Sequence, residues 1–485
     1  MKRILYVASE CMPFAATGGL GDVIGSLPRA LRDAYGLAAD IRVVLPLYEC
    51  IPPSLRQSFT KEAVFTVRLS WRRQYCGLYS LRRDGIVYYF IDNEYYFGRQ
   101  NIYGYPDDGE RYAFFSMAVL DMLAHIGFFP DILHAHDWQG ALSVIYKNLL
   151  YGDRQGYARI KTVFTIHNIE YQGQFPTYML EDVFALSAAH RKILGWRDDI
   201  NLMQGAVILA DQITTVSPTY AKEIQTPALG RGLDSVLRAH AEKLSGILNG
   251  IDDTYYNPAA DAAIAKPYTK DTAIYKKANK ISLQQELNLP QREDIPVFSV
   301  ISRLVGHKGT ELICTAAKRL LQEEEAQLVL LGTGDEVYEA FFHALEDTFP
   351  EKMRALIKYD RDLSKRIYAA SDFFLMPSAS EPCGLSQMIA CRYGAIPIVR
   401  ETGGLSDSIH PFKIENGKVQ GSGLTFMAYD TDALYERILQ ALEIYKDEAL
   451  HRRLTVQVME QDYSWKVSAG AYMRLYNGLS APKKG

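Results

Sequence analysis

No stretch of this chain is apolar for long enough to cross a membrane, and neither sign of charge dominates. Lys and Arg number 53 against 57 Asp and Glu, a formal net charge of −4. The lack of a strong basic excess argues against nucleic acid as the main partner and leaves room for a local basic pocket. The absent apolar run excludes a membrane-spanning helix. Cysteine is sparse: Cys11, Cys50, Cys76, Cys314, Cys383 and Cys391 are scattered, and none forms a C-x-x-C pair. That excludes a disulfide framework and points to reduced thiols. No short repeat or low-complexity tract is present. Met1-Lys2-Arg3 runs straight into Ile4–Ala8, too short an apolar region for a secretory leader, so the expected location is the cytoplasm. What remains is an ordinary balance. The 485 residues are 48% hydrophobic and 23% charged, enough for two or three domains with their own cores.

Short apolar runs alternate with helical patterns. Ile4–Ala8 is followed by a glycine loop, then by Val23, Leu27 and Leu31 at helical spacing, then by an apolar run ending at Pro46. Further strands are expected at Ile86–Ile91, Ile132–Ala135, Thr162–Ile166 and Gln212–Val216. A buried helix is expected near Arg111–Ile126, with Phe115, Val119 and Leu123 on one stripe. A second alternating set comprises Val297–Ile301, Gln327–Leu331, Phe373–Met376 and Ile396–Val399. Between the sets, Ile251–Ile295 reads as a proline-bearing connector with a helix near Lys276–Leu287. The pattern predicts βαβ units on parallel sheets, so an α/β fold of two Rossmann-like domains facing an inter-domain cleft. The expected division is 1–245, 246–460, and a C-terminal helix within 461–485 that crosses back to the first domain.

Candidate chemistry lies where strands end. Gly18 and Gly19, after the first strand, are expected to adopt positive φ and let the backbone approach a ligand, ahead of a helix whose free N–H groups suit an anion. Asp22 alone reads as a first-turn helix charge. His134-Ala135-His136-Asp137-Trp138 invites a metal reading, but the spacing is not that of a helical zinc site. The better reading is a polar cleft rim, with His134 a satisfied core residue and no metal. His167 in Thr165-Ile166-His167-Asn168 repeats the placement. Arg303 and Lys308 share a glycine-containing loop, and a planar fork beside a compact ammonium suits a diphosphate. Gly332 and Gly334 resemble half a dinucleotide fingerprint, yet Val337 occupies the third glycine position, so a nicotinamide cofactor is not expected. Glu381 sits on a proline turn in Ser380-Glu381-Pro382-Cys383-Gly384-Leu385-Ser386, suited to gripping sugar hydroxyls beside phosphate-binding amides. Thr402-Gly403-Gly404 adds donors after the next strand.

In order, Thr17-Gly18-Gly19-Leu20-Gly21-Asp22-Val23, His134–Trp138, Thr165–Gly173, Thr215–Ala221, Gly246–Asp252, Ser302-Arg303-Leu304, Glu381–Leu385 and Thr402–Leu405 resemble the bacterial glycogen synthase and plant starch synthase family, retaining GT-B glycosyltransferases. The resemblance implies that Arg303 and Lys308 bind the donor diphosphate and that Glu381 contacts donor glucose. It implies that Cys383, Gly384, Leu385 and Ser386 present backbone to phosphate and glucose, and that His167 lies beside the transferred glucose. Asp22, Asp137 and Asn249 fall near donor or acceptor, with His136 and Trp138 on the cleft side. Thr17, Gly18, Gly19, Thr402, Gly403 and Gly404 form donor-side loops, and Tyr359 falls where the family places an aromatic against the base.

The implied reaction moves glucose from ADP-glucose to the non-reducing end of an α-1,4-glucan, with retention, no cofactor and a bacterial cytoplasmic setting. Two departures stand out. Ala16 occupies the position where the family usually has lysine, removing one charge-assisted contact, typically about 1.5–3 kcal/mol. Ile389 occupies the second position of the glutamate pair found in wider GT-B enzymes. A glucan- or nucleotide-sugar-binding homologue without catalysis, and a transferase using UDP-glucose, fit the same residues. Oligomeric state is not set by any feature of the chain.

Overall fold

Two sheet-centred units account for the chain in a computed structural model that describes residues 1–480. One unit comprises residues 1–250 together with the segment from Trp465 onward, and the other comprises Ile251–Ser464. The breaks therefore fall a few residues beyond 245 and 460, and residues 481–485 of the expected C-terminal segment lie outside the described residues.

The first unit is built on β1 (Lys2–Val7), β2 (Ala39–Pro46), β3 (Thr60–Leu69), β4 (Arg72–Arg83), β5 (Ile86–Asp92), β6 (Ile132–His136), β7 (Lys161–Ile166), β8 (Gln212–Thr215) and β9 (Leu244–Gly246). They form one sheet in the order β9-β8-β7-β6-β1-β2-β5-β4-β3. Helix α1 (Gly19–Tyr35) follows β1, and α2 (Asp108–His125) precedes β6. Phe115, Val119 and Leu123 of α2 are fully buried. Helix α3 (Asp137–Leu149) follows β6.

The second sheet is β12-β11-β10-β13-β14-β15, from β10 (Val297–Ile301), β11 (Gln327–Leu331), β12 (Met353–Leu356), β13 (Phe373–Met376), β14 (Ile396–Arg400) and β15 (Leu424–Phe426). Helix α4 (Thr310–Glu323) follows β10, and the short α5 (Ser386–Arg392) follows β13. All pairings in this second sheet are parallel.

The helix at Lys276–Glu286 packs Leu283 against Val297, Val329 and Ile367. The Ile251–Ile295 stretch is thus part of the second core rather than a bare connector. Helix α6 (Trp465–Ser480) belongs to the first unit. It buries Trp465, Ala469, Tyr472, Met473 and Tyr476, and the Tyr476 hydroxyl reaches Tyr6 at 2.7 Å.

The first sheet departs from the expected all-parallel pattern. β3, β4 and β5 pair antiparallel, with β3 at the edge. A strand buried on both faces reads as a continuous apolar run, whereas an edge hairpin alternates. β3 does alternate, with exposed and half-buried positions along Thr60–Thr66, and so offers no apolar run. The short strands β9, β12 and β15 were likewise too brief to register as runs.

Each sheet has a point where the strand order reverses. β1 lies between β2 and β6, and β10 lies between β11 and β13. Loops leaving the carboxyl ends of such neighbours diverge and open a crevice, the usual ligand position in open α/β sheets. No helix among the described residues is long and apolar enough to cross a membrane.

Candidate active site

At the first crevice, β1 delivers Glu10 and β6 delivers His136 and Asp137. Glu10 is 4% exposed. Its carboxylate accepts from the Thr17 amide at 2.6 Å, the Thr17 hydroxyl at 2.8 Å, the Gly18 amide at 3.1 Å and the Tyr103 hydroxyl at 2.8 Å. An internal carboxylate therefore already holds the two amides that immediately precede α1, while the helix itself begins at Gly19. Gly18 has φ −164°, and neither Gly18 nor Gly19 has a positive φ, so the expected left-handed geometry is absent. A Cβ on either would meet nothing within 4 Å. These glycines thus present bare backbone on an open side, compatible with close approach by a ligand. Ala16 is exposed, and its Cβ lies against Gly21 of α1.

Asp137 has φ +52°, uncommon for a residue with a side chain. It opens α3, and its Oδ1 accepts the backbone N–H of His167 at 2.7 Å, tying the end of β6 to the end of β7. Burial pushes its carboxyl up to about 7, opposed by hydrogen bonds from the His167 and Asn168 backbone and reinforced by Glu10. His134 is fully buried and bonded at both ring nitrogens, to Tyr476 at 2.8 Å and Thr165 at 2.6 Å. His136 Nδ1 lies 2.9 Å from His167 Nε2. Burial drives His167 down to about 3, so its ring is neutral across the physiological range. Trp138 is half-buried and packs on Tyr112 and Phe175. Among the described residues no group of three or more His, Cys, Asp or Glu side chains is arranged to hold a metal ion.

At the second crevice the loops after β10 and β13 are knitted together. The Ala379 amide donates to the His307 carbonyl at 2.9 Å. Gly309 has φ +73°, and a Cβ there would lie 2.2 Å from the Pro377 carbonyl oxygen. Only glycine permits that approach, and it brings Lys308 beside Glu381. Lys308 Nζ stands 2.5 Å from Glu381 Oε2, which also accepts from Ser378 Oγ at 3.1 Å. Glu381 is 5% exposed. Arg303, on the Lys308 loop, is exposed, and among the described residues its guanidinium has no hydrogen-bond or ion-pair partner.

The loop after β14 is locked on from the other side. The Gly404 amide donates to the Glu381 carbonyl at 3.0 Å, and a Cβ on Gly404 would lie 2.2 Å from the Cys383 carbonyl oxygen. Gly404→Ala must therefore push two backbone segments apart. It is expected to lower unfolding free energy by about 1–3 kcal/mol in a urea titration; an unchanged midpoint would show that the loops are not mutually locked.

Comparison with known proteins decides what this pair of crevices belongs to. The family described as "Starch synthase catalytic domain" matches residues 3–239, and "Glycosyl transferases group 1" matches residues 283–455. A glycogen synthase of Bacillus cereus (strain B4264) is 45% identical over 479 residues, covering 98% of this chain and 99% of that protein. One from Anoxybacillus flavithermus (strain DSM 21510 / WK1) is 46% identical over 481 residues, covering 99% and 98%. The catalytic domain of starch synthase IV from Arabidopsis thaliana, bound to ADP and acarbose, superposes with a TM-score of 0.91 at 35% identity, with 99% of each chain covered. The chain belongs to the glycogen synthase family. It is a glycosyltransferase with the GT-B fold. A sucrose-phosphate synthase from Thermosynechococcus elongatus, at 17% identity and TM-score 0.61 over 99% of each chain, shares that fold.

Within this glycogen synthase family member, Arg303, Lys308, Glu381, Cys383, Gly384, Leu385, Ser386, Thr402, Gly403 and Gly404 gather on three adjacent loops of the second unit. Tyr359 follows the edge strand β12 and is 82% exposed. In the first unit Thr17, Gly18, Gly19 and Asp22 follow β1, His136 and Asp137 close β6, and His167 follows β7. Asn249 follows β9, and its Oδ1 is buried without a partner among the described residues. Glu10 is the residue that sequence reasoning missed. Its signal was a charged residue three positions past a strand whose last four residues are buried, a position where burial demands several donors.

The Asp137 geometry has a pH consequence. A carboxyl whose folded pKa is raised from 3.8 to about 7 stabilises the fold at low pH, and that contribution is lost as pH rises through about 7. Asn keeps the shape and tolerates left-handed backbone. In urea unfolding at pH 5 and pH 8, wild type should lose about 1–3 kcal/mol more than Asp137→Asn across the interval. Equal losses would mean that Asp137 is ionised throughout.

Proposed function

We propose that the chain transfers glucose from ADP-glucose to the non-reducing 4-hydroxyl of an α-1,4-glucan, with retention of anomeric configuration, as a bacterial cytoplasmic enzyme. The observation that carries the reading is the second crevice, where Lys308 and the exposed Arg303 share a loop packed against Glu381. In the proposal, the bond from the glucose anomeric carbon to the diphosphate oxygen breaks and a bond to the acceptor oxygen forms. The hydroxyl proton passes to the leaving phosphate. Charge grows on the diphosphate as it departs, and fixed cations and amides aimed at that charge lower the barrier without a resident cofactor or metal.

Glu381 would orient the hexose, while Cys383, Gly384, Leu385, Ser386 and the Thr402–Gly404 loop would present backbone to sugar and phosphate. Tyr359 would cover the base. His167, Asp22, Asp137 and Asn249, with the Thr17–Gly19 loop, would serve the sugar side, and His136 would act behind His167. ADP as the nucleotide is supported by the ADP bound to the similar Arabidopsis starch synthase domain, and the glucan acceptor by the glycogen synthase relatives.

Radiolabelled ADP-glucose and UDP-glucose offered separately with glycogen test the reading. Incorporation from ADP-glucose with rates well above UDP-glucose is expected. Preference for UDP-glucose would reassign the donor, and no incorporation from either at high enzyme would make the chain a binding protein.

A further inference from the structure

The ring of His136 is locked. It stacks on His134 with centroids 4.2 Å apart and on Tyr6 at 5.7 Å. His134 is itself pinned at both nitrogens by Tyr476 and Thr165, so the stack cannot turn. Nδ1 of His136 faces His167 Nε2 at 2.9 Å. Its other nitrogen, Nε2, is fully buried and has no partner among the described residues. A neutral imidazole carries one proton, and only one of the two facing nitrogens can donate.

Two arrangements are conceivable. With the proton on His136 Nε2, a buried N–H would have no acceptor, and His167 Nε2 would have to donate. With the proton on His136 Nδ1, that N–H donates to His167, and only a bare ring nitrogen is left unpartnered. Buried orphan N–H groups are the rarer defect, so the second arrangement prevails.

We infer that His136 is a positioning residue that fixes the tautomer of His167: it donates from Nδ1 to His167 Nε2 and thereby leaves the His167 proton on Nδ1. His167 Nδ1 has no partner among the described residues, so this side chain is a hydrogen-bond donor and not a base. Such a group suits a hydroxyl oxygen of a bound hexose, and it cannot accept the proton of an incoming acceptor hydroxyl through Nδ1. Setting one imidazole by a hydrogen bond from a neighbour is a general device for aiming its reactive nitrogen. The inference rests on the proposed place of His167 beside the transferred glucose only for its catalytic consequence; the tautomer itself does not depend on it.

The test is long-range nitrogen–proton correlation NMR on the full chain with ¹⁵N-labelled histidine, the His136 and His167 signals being assigned from His136→Phe and His167→Gln. Protonated Nδ1 and bare Nε2 on both rings at pH 7.5 are expected. A protonated Nε2 on His167 would overturn the inference. In His136→Phe, His167 should shift toward the other tautomer and kcat should fall on the order of 10–10²-fold, with KM for the nucleotide-sugar changing far less. His136→Gln, whose amide can donate to the same nitrogen, should recover most of the loss. An unchanged His167 tautomer in folded His136→Phe would overturn the positioning role. If the wild type shows the expected tautomers yet transfers no glucose, the functional reading fails while the tautomer assignment stands.

Discussion

Arg303→Ala should lower kcat for glucose transfer by on the order of 10²–10³-fold while leaving the fold intact. The two halves of that expectation have separate causes. Arg303 is exposed on the loop after β10, and no described residue engages its guanidinium, so truncation breaks no internal contact. Surface substitutions of this kind stay within about 0.5 kcal/mol. The guanidinium is nonetheless anchored to a loop that cannot drift, because Gly309 abuts the Pro377 carbonyl and Ala379 bonds to His307. A planar donor fork at that place would meet the charge that grows on a departing diphosphate. Steady-state transfer to glycogen, with thermal unfolding as control, decides it. A loss below tenfold with an unchanged unfolding midpoint would remove Arg303 from the role.

Glu381→Gln should abolish transfer, by on the order of 10³-fold, without weakening ADP binding. Glu381 now receives the Lys308 ammonium at 2.5 Å and the Ser378 hydroxyl at 3.1 Å. The amide keeps the shape and one acceptor oxygen but gives up the charge. Losing the charged partner of a largely buried hydrogen bond costs about 1–3 kcal/mol of stability. Lys308, no longer neutralised, becomes a stronger phosphate ligand, so ADP affinity should hold or rise, while the hexose loses the carboxylate that orients it. Calorimetric titration with ADP beside the transfer assay separates the two. An equal loss of ADP binding and transfer would contradict the assignment of Glu381 to the sugar.

The strands that frame both crevices were legible because they are buried on both faces. Val297–Ile301, Gln327–Leu331 and Phe373–Met376 begin and end where their apolar runs do. The edge hairpin Thr60–Arg83 was not legible, since its alternation dilutes the apolar signal. Arg303, Lys308 and Glu381 stood out through residue type and their place at strand ends. Glu10 did not, because its partners Thr17, Gly18 and Tyr103 come together only in the fold. The same holds for the glycine loop: two adjacent glycines suggested positive φ, yet the turn is closed by a carboxylate, and extended backbone serves.

Alone, the order of apolar runs and strand-end motifs determined the α/β class, the two Rossmann-like halves and the family. Burial of short strands between helices is a local property that composition and periodicity encode. The tertiary structure alone decided that Lys308 meets Glu381 from 73 residues away, that His136 meets His167 across 31, and that Tyr476 from the last helix reaches His134 on β6. The first two contacts follow from strand order, and the third from the docking of the last helix on the first unit. The crossovers set β10 beside β13 and β6 beside β7, and which strands become neighbours depends on how the whole sheet buries its faces, a global balance that no local stretch of sequence expresses.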